Sequence, residues 1–267
     1  MRLLLFTFIL LSFFPSAYSQ SVHGLEKIIV EKYYVSDSAD SKASGGNLPV
    51  GSVTYRIFVD LLPAYRLQAV YGVPGHVMQI ATTTSFFNNA DDGAAIANYI
   101  SSDKLKSNTL MVDSWLSVGA AAENYIGMLK SDDTEKPLAN SDGLLHNADS
   151  STGIPLNVRD GMFQTHPVSV VTLFGIDSAM LSLFGKKNSD AKGQVFSTDN
   201  GSWASFGGSI GVHPMNRVLI AQLTTDGELS FQLNIQIGTP DGKVENYVAE
   251  NPVGNEILFP ELTFHSK

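Results

Sequence analysis

The chain is 267 residues long, 43% hydrophobic and 16% charged, with no cysteine and a formal net charge of −9. An excess of acid that large makes nucleic acid and anionic membrane surfaces poor partners. The missing thiols exclude disulfides, cysteine nucleophiles, iron–sulfur clusters and cysteine zinc sites.

The first feature in chain order is a leader. Arg2 precedes the uncharged, mostly apolar run Leu3 to Phe14, and Ala17 and Ser19 place small residues just before a cleavage point. This pattern predicts a secretory signal peptide over residues 1–19, cut after Ser19, and an extracytoplasmic mature chain, secreted or periplasmic. The run is shorter than the roughly 20 residues that span a bilayer, so no permanent anchor is expected. Cleavage removes Arg2 and leaves the chain still more acidic. Export without cysteine points to a bacterial source, because large secreted eukaryotic domains usually carry disulfides. Residues 20–250 are expected to form a single β-sandwich domain, and 251–267 a C-terminal tail with one short strand.

Leu25 to Val35 (LEKIIVEKYYV) is rich in β-branched and aromatic residues and predicts the first strand. The polar loop Ser36 to Gly46 follows, with Asp37 and Asp40 read as solvated. Val53 to Leu62 resumes the strand pattern, with Val53, Tyr55, Ile57 and Val59 on one face, and Pro63 ends it. Arg66 to Tyr71 and His76 to Thr84 are strands separated by a turn at Gly72 to Gly75. Ala94 to Ser101 is the best candidate for a short helix, and Leu110 to Ala120 is an apolar segment centred on Trp115. Lys130 to Thr152, which carries Asp132, Asp133, Glu135, Asp142 and Asp149, reads as a surface excursion or a boundary between two halves. Val168 to Ile176 is almost continuously apolar and predicts a central strand. Gln194 to Ser205 holds a turn at Asp199 to Gly201 and then Trp203. Val244 to Val248 and Ile257 to Phe264, the latter broken at Pro260, complete the strands.

The most regular stretch is Arg217 to Ile237. Leu229, Phe231, Leu233, Ile235 and Ile237 alternate with Ser230, Gln232, Asn234 and Gln236, the period of a strand with one buried face. Asp226-Gly227 marks a turn. A three-residue bulged loop with Gly227 left-handed sets Leu223 opposite Leu229, Ala221 opposite Phe231 and Leu219 opposite Leu233, so a hairpin in that register is expected. Strand-sized segments with frequent turn signals and little helical period give the fold class. It is all-β, an antiparallel, jelly-roll-like β-sandwich with at most one short helix.

Several segments together carry a likeness: Thr54 to Asp60 (TYRIFVD), Ala69 to Gly72 (AVYG), Thr82 to Phe87 (TTTSFF), Asp113 to Gly119 (DSWLSVG), Asn200 to Trp203 (NGSW) and Arg217 to Gly227 (RVLIAQLTTDG). In order and rough spacing, over about residues 28–250, the chain resembles a recurring all-β module of exported bacterial proteins. The resemblance implies an extracytoplasmic β-sandwich and no catalytic residues. This chain stops soon after the module, without the tandem array or sorting domain of the larger proteins that carry it.

Gly207-Gly208-Ser209-Ile210-Gly211 matches the nucleophile-elbow pattern, which needs a strand before the serine and a helix after it. Pro214 argues against that helix, and a glycine-rich loop accounts for the sequence. His23, His76, His146, His166, His213 and His265 show no zinc-ligand spacing. Asp60 and Asp113 read as hydrogen-bond caps at strand ends. The loop Asn88-Asn89-Ala90-Asp91-Asp92-Gly93 is rich in oxygen ligands for calcium, but lacks the ladder of an EF-hand and reads first as a solvated turn. Trp115, Trp203, Tyr33, Tyr34, Phe86 and Phe87 either form a platform for sugar rings or fill the core, and tryptophan in a strand favours the core.

These features support a secreted or surface module in a non-catalytic binding or structural role, with carbohydrate or cell-surface attachment favoured. Its partner is a polysaccharide or another surface protein, with no cofactor, no metal and no catalytic residue assigned. The competing expectation is a glycoside or ester hydrolase on the same sandwich, with two carboxylates, or Ser209 and a histidine, converging in one cleft. A third expectation is assembly through an open sheet edge at Ile28 to Val35 or Ile257 to Phe264.

Overall fold

The computed structural model describes residues 23–106, 109–134, 160–186, 188 and 190–266. The leader over residues 1–19, and Glu135, Asp142, His146 and Asp149, lie outside the described residues.

The strands, in chain order, are β1 (Leu25–Val35), β2 (Val53–Leu61), β3 (Arg66–Gly72), β4 (Met78–Thr82), β5 (Trp115–Leu116), β6 (Ala120–Ala122), β7 (Tyr125–Gly127), β8 (Met162–Gln164) and β9 (Thr172–Phe174). After them come β10 (Val195–Thr198), β11 (Gly201–Ser209), β12 (Arg217–Thr225), β13 (Leu229–Gln232), β14 (Asn234–Gly238), β15 (Val244–Val248), β16 (Ile257–Leu258) and β17 (Thr263–His265). They form a central sheet in the order β1-β2-β12-β5, a second sheet β10-β4-β13-β17, a third β16-β15-β14-β3-β11-β9, and a small β6-β7-β8. Among the described strands every ladder is antiparallel except that of β15 with β16. The expected all-β antiparallel sandwich is therefore the observed class.

The central sheet is covered on both faces. Tyr55, Ile57, Val59 and Leu61 of β2 point into one core, where they meet Val218 and Ile220, Met78 and Ile80, Leu67 and Val70, Phe196, Trp203 and the alternating Leu229 to Ile237. Phe58 and Leu219, on the opposite face, belong to a second core with Tyr33, Tyr34, Leu48, Leu110, Met111, Val112 and Trp115. Both tryptophans are core residues: Trp115 is 1% exposed, and Trp203, fully buried, donates its indole N–H to Ser117 O at 3.0 Å.

The expected hairpin does not form. β12 pairs with β2 and β5, setting Leu223 opposite Tyr55, whereas β13 pairs with β4 and β17, setting Leu229 opposite Thr82. Asp226-Gly227 is thus a crossing between sheets, and Gly227 is not left-handed. Its hydrogen count matters for another reason: a Cβ there would lie 2.6 Å from the Thr83 and Thr84 hydroxyls. Apolar alternation identifies a buried face but not the strand that lies beside it, so two strands of the same period were matched to each other. The long run also divides. At Leu233, whose N–H donates to Leu262 O, the chain leaves the second sheet and enters the third while keeping its apolar side inward.

Three further expectations are corrected. Within Val168 to Ile176 only β9 is a strand, and it lies at the edge of the third sheet with Phe174 exposed, because it pairs with β11 alone among the described residues. Ala94 to Ser101 contains a 3₁₀ turn, Ala97–Tyr99, and no α-helix; among the described residues the one α-helix is the single turn α1 (Ser178–Leu181), capped by Asp177 Oδ1, which accepts from Met180 N at 2.8 Å. Asp40 is buried, accepting from the Tyr34 hydroxyl and from Asp37 N, each at 2.8 Å.

Candidate functional site

Every side chain expected to build an aromatic platform is buried: Tyr33, Tyr34, Phe86, Phe87, Trp115 and Trp203 all lie in the two cores. Ser209 is equally removed from chemistry. It is the last residue of β11, 1% exposed, opposite Leu67, after a bulge in which Gly207 and Gly208 have φ of 78° and 73°. No helix follows it, so the segment has the form of a bulged strand and not of an elbow.

The histidines are dispersed. His76 Nε2 lies 2.9 Å from Glu256 Oε2, His23 lies 3.6 Å from Glu245, and His166 Nδ1 lies 2.9 Å from Asn124 Oδ1. Among the described residues, no three His, Cys, Asp or Glu side chains come together in a metal-binding group.

The oxygen-rich loop at Asn88 to Gly93 is held by the protein itself. Asn89 is buried, and its Oδ1 accepts from Asp91 N at 3.1 Å and Asp92 N at 2.8 Å. Asp113 closes the loop from the other side: Oδ1 accepts from Asn89 N at 2.7 Å and Oδ2 from Ala94 N at 2.8 Å. Burial pushes the Asp113 carboxyl up to about 8, against backbone N–H groups of Asn89, Ala94 and Ser114 that favour its ionised form. Asp113 is the expected cap, with a longer reach than a strand end. Asp60, the other, takes Arg217 Nε at 3.2 Å and Lys27 Nζ at 3.7 Å.

Beside that loop lies a cleft of about 360 Å³. Four segments meet there: the end of the Ser36 to Gly46 loop and the residues after it, the stretch after β4, the segment after α1, and the crossing at the end of β12. Its wall carries Asn47, Thr84, Asn88, Asn188, Asp190, Asp226, Lys186 and Lys192. Thr84 and Thr225 join the lining to a buried hydroxyl cluster, with Thr225 Oγ1 2.7 Å from Thr82 Oγ1 and 2.8 Å from Thr84 Oγ1. Gln194 supports the wall by exchanging side-chain hydrogen bonds with Asn188, at 2.8 and 3.0 Å, while its Oε1 also accepts from Phe86 N at 2.9 Å. Asn88 donates to Phe86 O and Leu183 O, and its Oδ1 accepts from no described group. A second cavity, about 260 Å³, is bounded by Met128, Val212, Pro214 and Met215. Its one strong polar feature is already paired, since Arg217 Nη1 meets both oxygens of Asp132 at 2.6 and 2.7 Å.

The polar cleft offers amide, hydroxyl, carboxylate and ammonium groups on a fixed frame, a mixture suited to a ligand that both donates and accepts. No short motif announces it, because its residues come from distant parts of the chain. Asn88 is the one wall residue that belongs to a stretch marked out by composition. Set against known protein families, curated proteins and solved structures, the chain matches none of them.

Proposed function

We propose that the protein is an exported, non-catalytic binding module that takes a hydroxyl-rich ligand, a carbohydrate presented on a polysaccharide or cell surface, in the polar cleft. The observation that carries this is the composition of the cleft wall: Asn47, Asp190 and Asp226 are exposed there and can each bond a sugar hydroxyl, with Lys186 and Lys192 at its margin and Asn88, Asn188 and Thr84 held in place behind them. The leader-like residues 1–19 support export, and the net charge of −9 argues against nucleic acid. Recognition rests on polar contacts in a cavity and not on stacked aromatic rings.

The test is retention of residues 20–267 on a panel of insoluble polysaccharides and cell envelopes, with Asp190→Ala/Lys192→Ala alongside. Retention on one glycan, reduced at least tenfold by the double substitution, is the expected result. Retention on none, or retention indifferent to the substitution, sinks the proposal.

Asp190 and Asp226 stand in the same cleft, which supports a second reading as a glycoside hydrolase. Both are exposed, whereas a general acid is kept protonated by a desolvated setting. Release of reducing ends from the retained glycan, abolished by Asp226→Asn, would decide for the hydrolase.

A further inference from the structure

The longest strand of the central sheet has an open side. Among the described residues β1 pairs with β2 alone, and residues 26 to 32 are half-buried or exposed. From Lys27 to Lys32 the pairing with β2 runs without a shift, Lys27 opposite Asp60 through to Lys32 opposite Tyr55. The carbonyl of Lys32 accepts from Lys130 Nζ at 2.6 Å, which places that carbonyl on the side of β1 turned away from β2. In the unshifted ladder the outward groups recur at every second residue, so Val30 and Ile28 also turn their N–H and C=O away from β2, as far as the register shift at Glu26. A row of unpaired backbone groups on a long edge invites another strand.

The side chains along that edge read Glu26, Lys27, Ile28, Ile29, Val30, Glu31, Lys32. Placed antiparallel to a copy of itself about Ile29, the strand sets Glu26 against Lys32, Lys27 against Glu31 and Ile28 against Val30. Centring on Ile28 instead puts Lys27 against Ile29 and Leu25 against Glu31. Centring on Val30 puts Ile28 against Lys32 and Ile29 against Glu31. Of the registers that use the outward backbone groups, the one about Ile29 matches every charge with its opposite and every aliphatic with an aliphatic. Edge charges that serve only to repel other strands have no need of such a match.

We infer that β1 is a self-complementary edge through which two copies of this chain join their central sheets, antiparallel about Ile29. Ile28 and Val30 exchange backbone hydrogen bonds with the partner's Val30 and the partner's Ile28. Glu26 faces the partner's Lys32, and Lys27 faces the partner's Glu31. Glu31 Oε1 accepts from Lys130 N at 2.9 Å and its Oε2 is buried, so the exposed pair of Glu26 with the partner's Lys32 carries the charge match. The dimer presents two polar clefts on one continuous sheet.

The experiment is sedimentation equilibrium of residues 20–267 from 1 to 100 µM, at low and at high salt. A concentration-dependent dimer that weakens with salt is expected. Glu26 and Lys32 are both exposed, so the fold tolerates changing them. Glu26→Lys sets like charges against each other at both ends of the pairing and weakens the dimer by about tenfold. Glu26→Lys/Lys32→Glu restores opposite charges and returns the dimer to its original strength. Val30→Pro deletes an outward N–H, which a proline on an edge strand tolerates, and gives a folded monomer by circular dichroism. A wild-type chain that stays monomeric at 100 µM overturns the inference. So does a dimer that survives Val30→Pro unchanged, or one that the single and double charge variants affect alike.

Discussion

The two faces of the central sheet solve the same burial problem in different ways. One face is apolar, with Tyr55, Ile57, Val59 and Leu61 set against the second and third sheets. The other face interleaves Phe58 and Leu219 with polar pairs across β2 and β12: Thr54 with Thr224, Arg56 with Gln222, Asp60 with Arg217. Each pair has a second task. Gln222 Oε1 takes Arg56 Nε at 2.8 Å while its amide donates to Met111 O and Asp113 O, and the Thr224 hydroxyl donates to Val112 O at 2.6 Å. The apolar face packs against strands, which bond their own backbones. The polar face packs against the 3₁₀ turn and irregular chain at Leu110 to Asp113, whose buried carbonyls need donors from the sheet. The nature of the covering layer thus decides which side chains the sheet must offer.

Arg56 is the severest test of that contrast. It is fully buried, stacks 3.6 Å from the Tyr33 ring centre, and donates Nη1 to Gly161 O at 2.8 Å. Arg56→Ala strips the charge, the stacking and both hydrogen bonds, and should lower unfolding stability by about 3–5 kcal/mol in urea titrations. Arg56→Met, which keeps the volume, should recover a large part of the loss if packing matters more than charge.

Asp113→Asn is next. Above about pH 8, where the folded carboxyl is ionised, an amide can accept at only one of the two positions, leaving Asn89 N or Ala94 N facing a donor, for about 1–3 kcal/mol. Its pH dependence is sharper still. The folded carboxyl holds its proton up to about 8, against an ordinary value of 3.8, so between those pH values the folded state binds the extra proton. Stability should therefore fall as pH rises through that window, by at most about 1.4 kcal/mol per unit. Burial raises Glu31 on the same face in the same direction. Urea midpoints at pH 5, 7 and 9 should fall less steeply in Asp113→Asn than in the wild type. Equal slopes would mean that Asp113 does not contribute.

On the apolar face, Ile57→Val should cost about 0.5–1.5 kcal/mol, with no dependence on pH. A pH-dependent loss there would show that the two faces are not independent. Lys27→Ala, at the half-exposed rim of the polar face, should change stability by less than about 0.5 kcal/mol, as read from the thermal midpoint.

Periodicity made the strands legible and left their partners hidden. Leu25 to Val35 is a strand at those bounds, and the alternating inward side of Leu229 to Ile237 is buried throughout. The adjacency of β12 to β2, and of β13 to β4, is set by packing across the whole molecule, and no local signal records it. Asp226-Gly227 would look the same in a hairpin and in a crossing. The second face of β2 was hidden for a related reason: Thr54, Arg56 and Asp60 have the composition of a wet face, and only the layer folded over them makes it dry. The cleft was hidden more fully, because Asn47, Asn88, Asn188 and Asp226 come to line one cavity only when four loops meet. Asp113 was the exception, legible as a cap because a carboxylate ahead of Ser114 and Trp115 has few other roles.

The placement of β2 between β1 and β12 also sets a schedule for synthesis. β1 lies just upstream of β2, but β12 ends at Thr225. A growing chain can form the first pair early, then must hold Val53–Leu61 with one edge bare until most of the polypeptide has been made. Contacts this remote in sequence are slow to form, so C-terminal truncations before Thr225 should yield aggregates and not smaller folded fragments. The sheet at the middle of the molecule is complete only once Arg217–Thr225 is available to it.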